Sequence, residues 1–313
     1  MRIAVFGAGS VGGYFGGRLA LAGEDDVVFI ARGTHLQALR TQGLRVESPK
    51  GDFTVRSVQA IDDPRRIGPV DAVLVAVKAW QVPEVAQAIR PMLGPQTCVV
   101  PLQNGLEAPA QVSAVLGPEH VLGGTCVISS TVTAPGCIRH LGLEPSITFG
   151  ALDNHPDPRA ERLREVFLRA EVTAIIPADI QVAIWEKFMA IRLGPVGAVA
   201  RAPVGVLRSV PETRRLVEQA GVETLMVARA RGIDLAKDSP ARMMAALDTI
   251  APGITASLQR DIEAGRPSEL DALTGALVRL GAEVGVETPL HAFIYHTLLP
   301  QELRARGHLR FPA

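Results

Sequence analysis

A chain of 313 residues is long enough for two domains and a large core, and 47% apolar against 20% charged residues reads as soluble and globular. Lysine plus arginine equals aspartate plus glutamate at 32 each, so overall charge makes no case for nucleic acid or an anionic membrane. Cys98, Cys126 and Cys137 fit neither a disulfide framework nor a zinc site, and the seven histidines contain no i, i+4 pair. Reduced thiols, a cytoplasmic setting and no metal are expected.

Met1 to Phe6 starts a strand directly, and the glycines behind it make it neither a signal peptide nor a membrane span. Ile3 to Phe6 is a buried strand, followed by a helix from about Val11 to Ala22 and a second strand at Val27 to Ala31. Leu44 to Val58 reads as a hairpin around Pro49-Lys50-Gly51-Asp52. Ala72 to Val77 is a β-branched run of the kind buried on both faces. Gln81 to Leu93 is helical, Cys98 to Leu102 is another strand, and Val121 to Thr133 and Ile138 to Phe149 are β-rich. The alternation predicts an α/β domain with a Rossmann-type, doubly wound parallel sheet over residues 1–178. From 179 to 313 the pattern is all-helical, with Ser209-Val210-Pro211-Glu212 as a capping box and Ser239-Pro240 and Thr288-Pro289 as N-cap and first-turn pairs. The helix after Ser209 should reach Arg231 and stop at Gly232.

Gly7-Ala8-Gly9-Ser10-Val11-Gly12 fits G-x-G-x-x-G, and it follows a strand and opens a helix, which is the context a dinucleotide site needs. Gly7 permits the tight turn, Gly9 lets backbone approach a pyrophosphate, and Gly12 lets helix and strand pack closely. The helix N-terminus offers unpaired N–H groups to phosphate oxygens. The alternative is a glycine-rich turn without function. At the end of the second strand, Arg32 stands where an NAD enzyme carries an acid. A guanidinium can grip a 2′-phosphate, so NADP is the expected cofactor, unless Arg32 merely caps the strand.

Lys78 and Asn104 lie just beyond the C-terminal ends of predicted central strands, where ligands bind in open α/β sheets. Either could be an ordinary loop residue, and Asn104-Gly105 is common turn chemistry. Lys187 is one lysine in the apolar helical stretch Ile184 to Met189. Its ammonium either snorkels to water or stabilises the oxyanion and donates the proton when hydride adds to a ketone. Ser257, read as mid-helix, could bond a substrate carboxylate. Ser268 can cap a helix that begins near Glu269, where the dipole favours a negative group; stabilising that first turn is Glu269's plain alternative.

Taken together, these pieces resemble the ketopantoate reductase (2-dehydropantoate 2-reductase) family over nearly the whole chain. The matching segments are Gly7 to Gly12, Val77-Lys78-Ala79, Leu102-Gln103-Asn104-Gly105-Leu106, Trp185-Glu186-Lys187, and Ser257 to Asp261 followed by Gly265-Arg266-Pro267-Ser268-Glu269. The resemblance implies that Lys187 and Glu269 are catalytic and that Gly7, Ala8, Gly9, Ser10, Val11, Gly12 and Arg32 bind the cofactor. It implies that Lys78 and Asn104 contact nicotinamide ribose and substrate, and that Ser257 binds substrate. The implied reaction is NADPH-dependent reduction of 2-dehydropantoate to (R)-pantoate on the route to pantothenate and coenzyme A. The family carries asparagines where this chain has Ile191 to Pro195, Val204 and Ile254. A paralogue that reduces another 2-keto acid therefore stays open, with Arg192 as a replacement carboxylate contact. So does a non-catalytic NADP-binding redox sensor, although a sensor has no need of Lys187 and Glu269. The expected partners are a small 2-keto acid and, from the apolar helical half, a second copy in a homodimer; nucleic acid and membrane are not expected.

Overall fold

The first strand, β1 (Arg2–Phe6), has no solvent-facing side: Ile3 and Val5 enter one apolar core, Ala4 and Phe6 another. Such double burial is what a continuous apolar run in a parallel sheet provides for. The computed structural model describes residues 1–312. After β1 come α1 (Ser10–Ala22), β2 (Asp26–Ile30), α2 (Gly33–Gln42), β3 (Leu44–Glu47), β4 (Phe53–Val55), β5 (Gln59–Ile61), β6 (Ala72–Val75), α3 (Val82–Ile89) and β7 (Cys98–Pro101). Five of these strands form a parallel sheet in the order β5-β2-β1-β6-β7. The alternation of β1 runs across it: Val27, Phe29, Leu74 and Val100 lie on the Ile3 side, and Val28, Ile30, Val73 and Val99 on the Ala4 side. The chain winds outward from β1 to β5 and then restarts on the other side at β6, which makes the β1/β6 junction the topological switch point.

The expected hairpin around Pro49 to Asp52 is the antiparallel pair β3/β4. Helix α2 lies where the sequence reading places no element; it turns Leu36, Ala38 and Leu39 inward. Next come α4 (Ala108–Leu116), β8 (Leu122–Val127), β9 (Ser130–Ala134), β10 (Cys137–His140), β11 (Ser146–Ala151), α5 (Pro158–Arg169) and β12 (Thr173–Ile175). The β-rich tract from Val121 is present, but beyond a single parallel bridge between Val121 and Val99 of β7 it does not extend the parallel sheet. It builds two further sheets, β4-β3-β10-β9 and β12-β11-β8. For β9 and β10 the reason is connection length. Only Pro135 and Gly136 separate β9 from β10, which allows an antiparallel hairpin and no crossover. Cys98 and Cys126 are buried free thiols, with burial pushing Cys98 up to about 12, and Cys137 is half-buried.

The rest is helical: α6 (Ile180–Ala190), α7 (Leu193–Ala200), α8 (Val204–Ser209), α9 (Pro211–Ala230), α10 (Ser239–Thr249), α11 (Ser257–Glu263), α12 (Ala276–Glu283) and α13 (Pro289–Ala305). A π-helical turn, Asp271–Gly275, leads into α12. The residues divide into two compact units, Met1–Gln103 with Ala108–Ile180, and Asn104–Glu107 with the chain from Gln181 onward. The tetrapeptide Asn104–Glu107 thus packs with the helices, although both its flanks belong to the sheet unit.

Within the helical unit, α9 buries Val217, Ala220, Gly221, Glu223, Thr224, Val227 and Ala228, the three-four spacing of one helical face. It ends as expected, with Arg231 at the C-cap and Gly232 at φ 83°. Two capping expectations are corrected. Ser209 closes α8 instead of opening α9, its hydroxyl donating to Val206 O at 3.1 Å, and Val210 is the N-cap. The N-cap before Pro240 is Asp238, one residue earlier than Ser239. Thr288 does sit at the N-cap of α13, but its side chain makes no cap bond. The buried Glu223 carboxylate does that work, accepting from Leu290 N at 2.9 Å, His291 N at 3.1 Å and His291 Nδ1 at 2.6 Å. No helix among the described residues is long and apolar enough to cross a membrane.

Candidate active site

In the sheet unit, the turn Gly7–Gly12 joins β1 to α1 at the switch point. Gly7 takes φ 97°, a conformation that side chains disfavour, and a Cβ on Gly12 would stand 2.1 Å from Gly7 O. Both positions therefore demand glycine. Over Gly9 the space is open, with no atom within 4 Å of where a Cβ would be. Gly9 is the N-cap of the 13-residue α1, and no acid lies in the first turn, which holds Ser10 and Val11. The residues therefore fit a dinucleotide: an open glycine face, the N–H groups that a helix start leaves unpaired, and the positive end of the helix dipole. The Ala8 carbonyl is tied down by His35 of α2. His35 Nδ1 accepts from Gly136 N at 3.2 Å, which leaves Nε2 as the protonated nitrogen that donates to Ala8 O at 2.7 Å. Neither bond could be foreseen, because Ala8 lies 27 positions from His35 and Gly136 lies 101.

Arg32 is the N-cap of α2, just past β2. Its side chain is 67% exposed, and one Nη2 contact of 3.4 Å reaches the equally exposed Glu84. Lys78 is exposed just past β6; its backbone N–H donates to Gln81 Oε1 at 3.2 Å and its ammonium lies 5.9 Å from the Trp80 ring centre. The glycine turn, Arg32 and Lys78 thus follow β1, β2 and β6, three neighbouring strands. Gln103, which drew no role from the sequence, is buried and donates to Val75 O at 2.8 Å and Val77 O at 2.9 Å, locking the exit of β6.

The helical unit gathers three of the candidate residues. Lys187 on α6 is half-buried, and its Nζ donates to Asn104 Oδ1 at 3.1 Å. Asn104 Nδ2 in turn reaches Glu269 Oε2 at 3.5 Å. One amide thus binds a cation through its oxygen and a carboxylate through its nitrogen, which also fixes which way the amide faces. Glu269 is buried beside Ser268, whose hydroxyl caps the following helix by accepting from Leu270 N at 3.3 Å. Ser268 is itself held by the Glu302 carboxylate, through both its N–H and its hydroxyl.

Two expectations need correction here. Ser257 is the exposed first residue of α11, not a buried mid-helix group, because the helix begins after Ala256. Arg192 is fully buried and binds backbone: Nε donates to Phe188 O at 2.9 Å and Nη1 to Leu273 O at 2.6 Å. Its guanidinium stacks 3.6 Å from the Phe188 ring centre, and burial pulls its pKa down to about 9. Arg192 therefore ties the end of α6, next to Lys187, to the π-helical turn behind Glu269. The sequence shows an arginine five residues after a lysine; only packing shows that it faces inward.

The chain matches the ketopantoate reductase PanE/ApbA family pattern over residues 3–154 and the C-terminal PanE/ApbA pattern over 179–302. It is 31% identical to the 2-dehydropantoate 2-reductase of Mesorhizobium japonicum, across 92% of this chain and 94% of that one. A crystal structure of 2-dehydropantoate 2-reductase from Geobacter metallireducens superimposes with a TM-score of 0.89 at 32% identity, covering 96% of this chain and 99% of that chain. D-mandelate dehydrogenase, solved as a ternary structure with NADH and anilino(oxo)acetate, shares the fold at 21% identity and a TM-score of 0.88, over 98% of this chain and 99% of its own. With both halves matched in order and relatives above 30% identity along nearly its whole length, the chain belongs to the ketopantoate reductase family, oxidoreductases built from a Rossmann-type unit and a helical unit.

Proposed function

We propose that this protein reduces 2-dehydropantoate to (R)-pantoate with NADPH, in the cytoplasm, on the route to pantothenate and coenzyme A. The observation that carries the reading is the ammonium of Lys187 held at 3.1 Å from Asn104, with Glu269 bound to the same amide. When bound, the nicotinamide supplies hydride to the keto carbon. Lys187 holds a proton at Nζ for the carbonyl oxygen, where negative charge builds, and Asn104 Oδ1 fixes the direction of that amine. Glu269 offers a fixed acceptor for a substrate hydroxyl. Arg32 grips the adenosine 2′-phosphate; its exposed contact with Glu84 is worth little and yields to a doubly charged phosphate.

A second reading, reduction of another 2-keto acid, is favoured by the stretch Ile191 to Pro195, Val204 and Ile254, which carry no asparagine where the family resemblance expects them. NADPH oxidation with a panel of 2-keto acids separates the readings. Turnover on 2-dehydropantoate supports the first, and turnover only on another acid replaces it by the second. Tight NADPH binding without turnover on any of them would make the protein a sensor.

Cofactor choice has its own test. Arg32→Asp should lower the preference for NADPH over NADH by at least about tenfold, since each charge-assisted hydrogen bond is worth roughly 1.5–3 kcal/mol and the new carboxylate repels phosphate. Kinetics with each cofactor read this out, and an unchanged ratio would mean that the phosphate is recognised elsewhere.

A further inference from the structure

The tetrapeptide Asn104–Glu107 and the π-helical turn Asp271–Gly275 are far apart in the chain, yet they supply or adjoin Asn104 and Glu269. One side chain on α12 holds both. Arg279 donates to Glu107 through Nη2 at 2.9 Å and Nε at 3.3 Å. It donates to Asp271 through Nη1 at 2.8 Å and Nη2 at 3.1 Å. Glu107 lies three residues after Asn104, and Asp271 two after Glu269. Tyr295 of α13 adds a hydroxyl bond to Asp271 Oδ1 at 3.0 Å. Gly275 makes room for this cluster: a Cβ there would meet Asp271 Oδ1 at 2.6 Å and Arg279 Nη1 at 3.1 Å. Close by, Gly105 presses against Ala272, with a Cβ position only 3.0 Å from Ala272 O.

We propose that Arg279 is a positioning residue for this active site: by gripping Glu107 and Asp271 together, it sets the distance between Asn104 and Glu269 and so the aim of the Lys187 amine. The proposal rests on the reductase reading. It follows from geometry and magnitude together. Arg279 is 44% exposed and Asp271 55%, so the ion pairs contribute little to global stability. Two carboxylates gripped by one planar fork nevertheless define a geometry that no single-point cation reproduces. Displacing a catalytic group by about 1 Å can cost as much as a hundredfold in rate.

The test compares the parent protein with Arg279→Gln, and uses Glu107→Gln as an independent way to open the same clamp. The expected result is a kcat lowered about tenfold with a melting temperature close to the parent's. In an Asn104→Ala background the Arg279→Gln change should have less than about a twofold further effect, because a residue acting through Asn104 loses its lever when Asn104 is gone. Hydrogen–deuterium exchange supplies a readout free of activity: in both variants the amides of 104–107 should exchange at least about tenfold faster while those of α9 keep their protection. Equal losses in both backgrounds, or unchanged exchange at 104–107, would overturn the proposal. A parent that reduces no 2-keto acid would overturn the reductase reading instead, and the exchange measurement would then decide the clamp alone.

Discussion

Lys187→Ala is expected to lower turnover at least about a hundredfold with little change in NADPH affinity. A positioned acid is worth roughly 10²–10⁴ in rate, and hydride addition to a ketone cannot finish until the new alkoxide is neutralised. Lys187 sits on the helical unit and the glycine turn on the sheet unit, so removing the amine leaves the glycine turn untouched. The loss should fall on kcat, because the proton is needed at the transition state more than in substrate binding. Fluorescence titration with NADPH and steady-state kinetics measure the two halves of the expectation. A loss of only a few-fold would mean that the amine acts as a snorkelling surface group whose bond to Asn104 is structural.

The second large effect is on stability. Glu223→Ala should destabilise the protein by about 3–5 kcal/mol, the scale for breaking a buried charged hydrogen-bonded pair. Glu223 is almost fully buried, and its removal strands three donors at once: the N–H groups of Leu290 and His291 and the ring Nδ1 of His291. Glu223→Gln keeps an acceptor oxygen and should cost clearly less. Urea unfolding followed by circular dichroism gives the midpoints, and equal midpoints for parent and Glu223→Ala would contradict the capping role.

The same pair predicts an acid-sensitive helical unit. Burial works to raise the Glu223 pKa, but the bonds from His291 and from the α13 backbone outweigh it and hold the carboxyl below its ordinary 4.5. For His291, burial lowers the pKa below its ordinary 6.5, and the nearby Arg192 charge lowers it further, against the upward pull of Glu223. Both signs agree. Below pH 6.5 the unfolded chain takes up the His291 proton first, and below 4.5 it takes up the Glu223 proton first. Stability from this pair is thus full above 6.5 and lost as pH falls through the two lowered values. In the Glu223→Ala variant the dependence below pH 4.5 should flatten, which a pH series of melting curves reads directly.

Much of the sheet unit was legible because its signals are local. Ile3 to Phe6 and Ala72 to Val75 are unbroken apolar runs, and a strand buried on both faces needs nothing else to be recognised. The glycine turn was legible for the same reason, since Gly7 and Gly12 answer backbone constraints set within a few residues of them. The sheets beyond Val121 were not, because the pairing of β10 with β3 joins segments about ninety positions apart. Helix starts failed at Ser209 and Ser239 by one residue each: the N-cap is the residue after Ser209 and the residue before Ser239.

By itself the sequence determined the fold class and the glycine turn between β1 and α1, and it nominated Arg32, Lys187 and Glu269 as candidates, because each of these depends on residue type and short spacing. The tertiary structure alone decided that Asn104 belongs with the helices and binds Lys187 and Glu269. It alone turned Arg192 inward, exposed Ser257, and made Glu223 the cap of a helix 67 residues away. Charge and hydrogen-bonding capacity are properties of a side chain, and the chain order records them. Which partner satisfies them once water is excluded is set by packing between distant segments, and no local pattern encodes it.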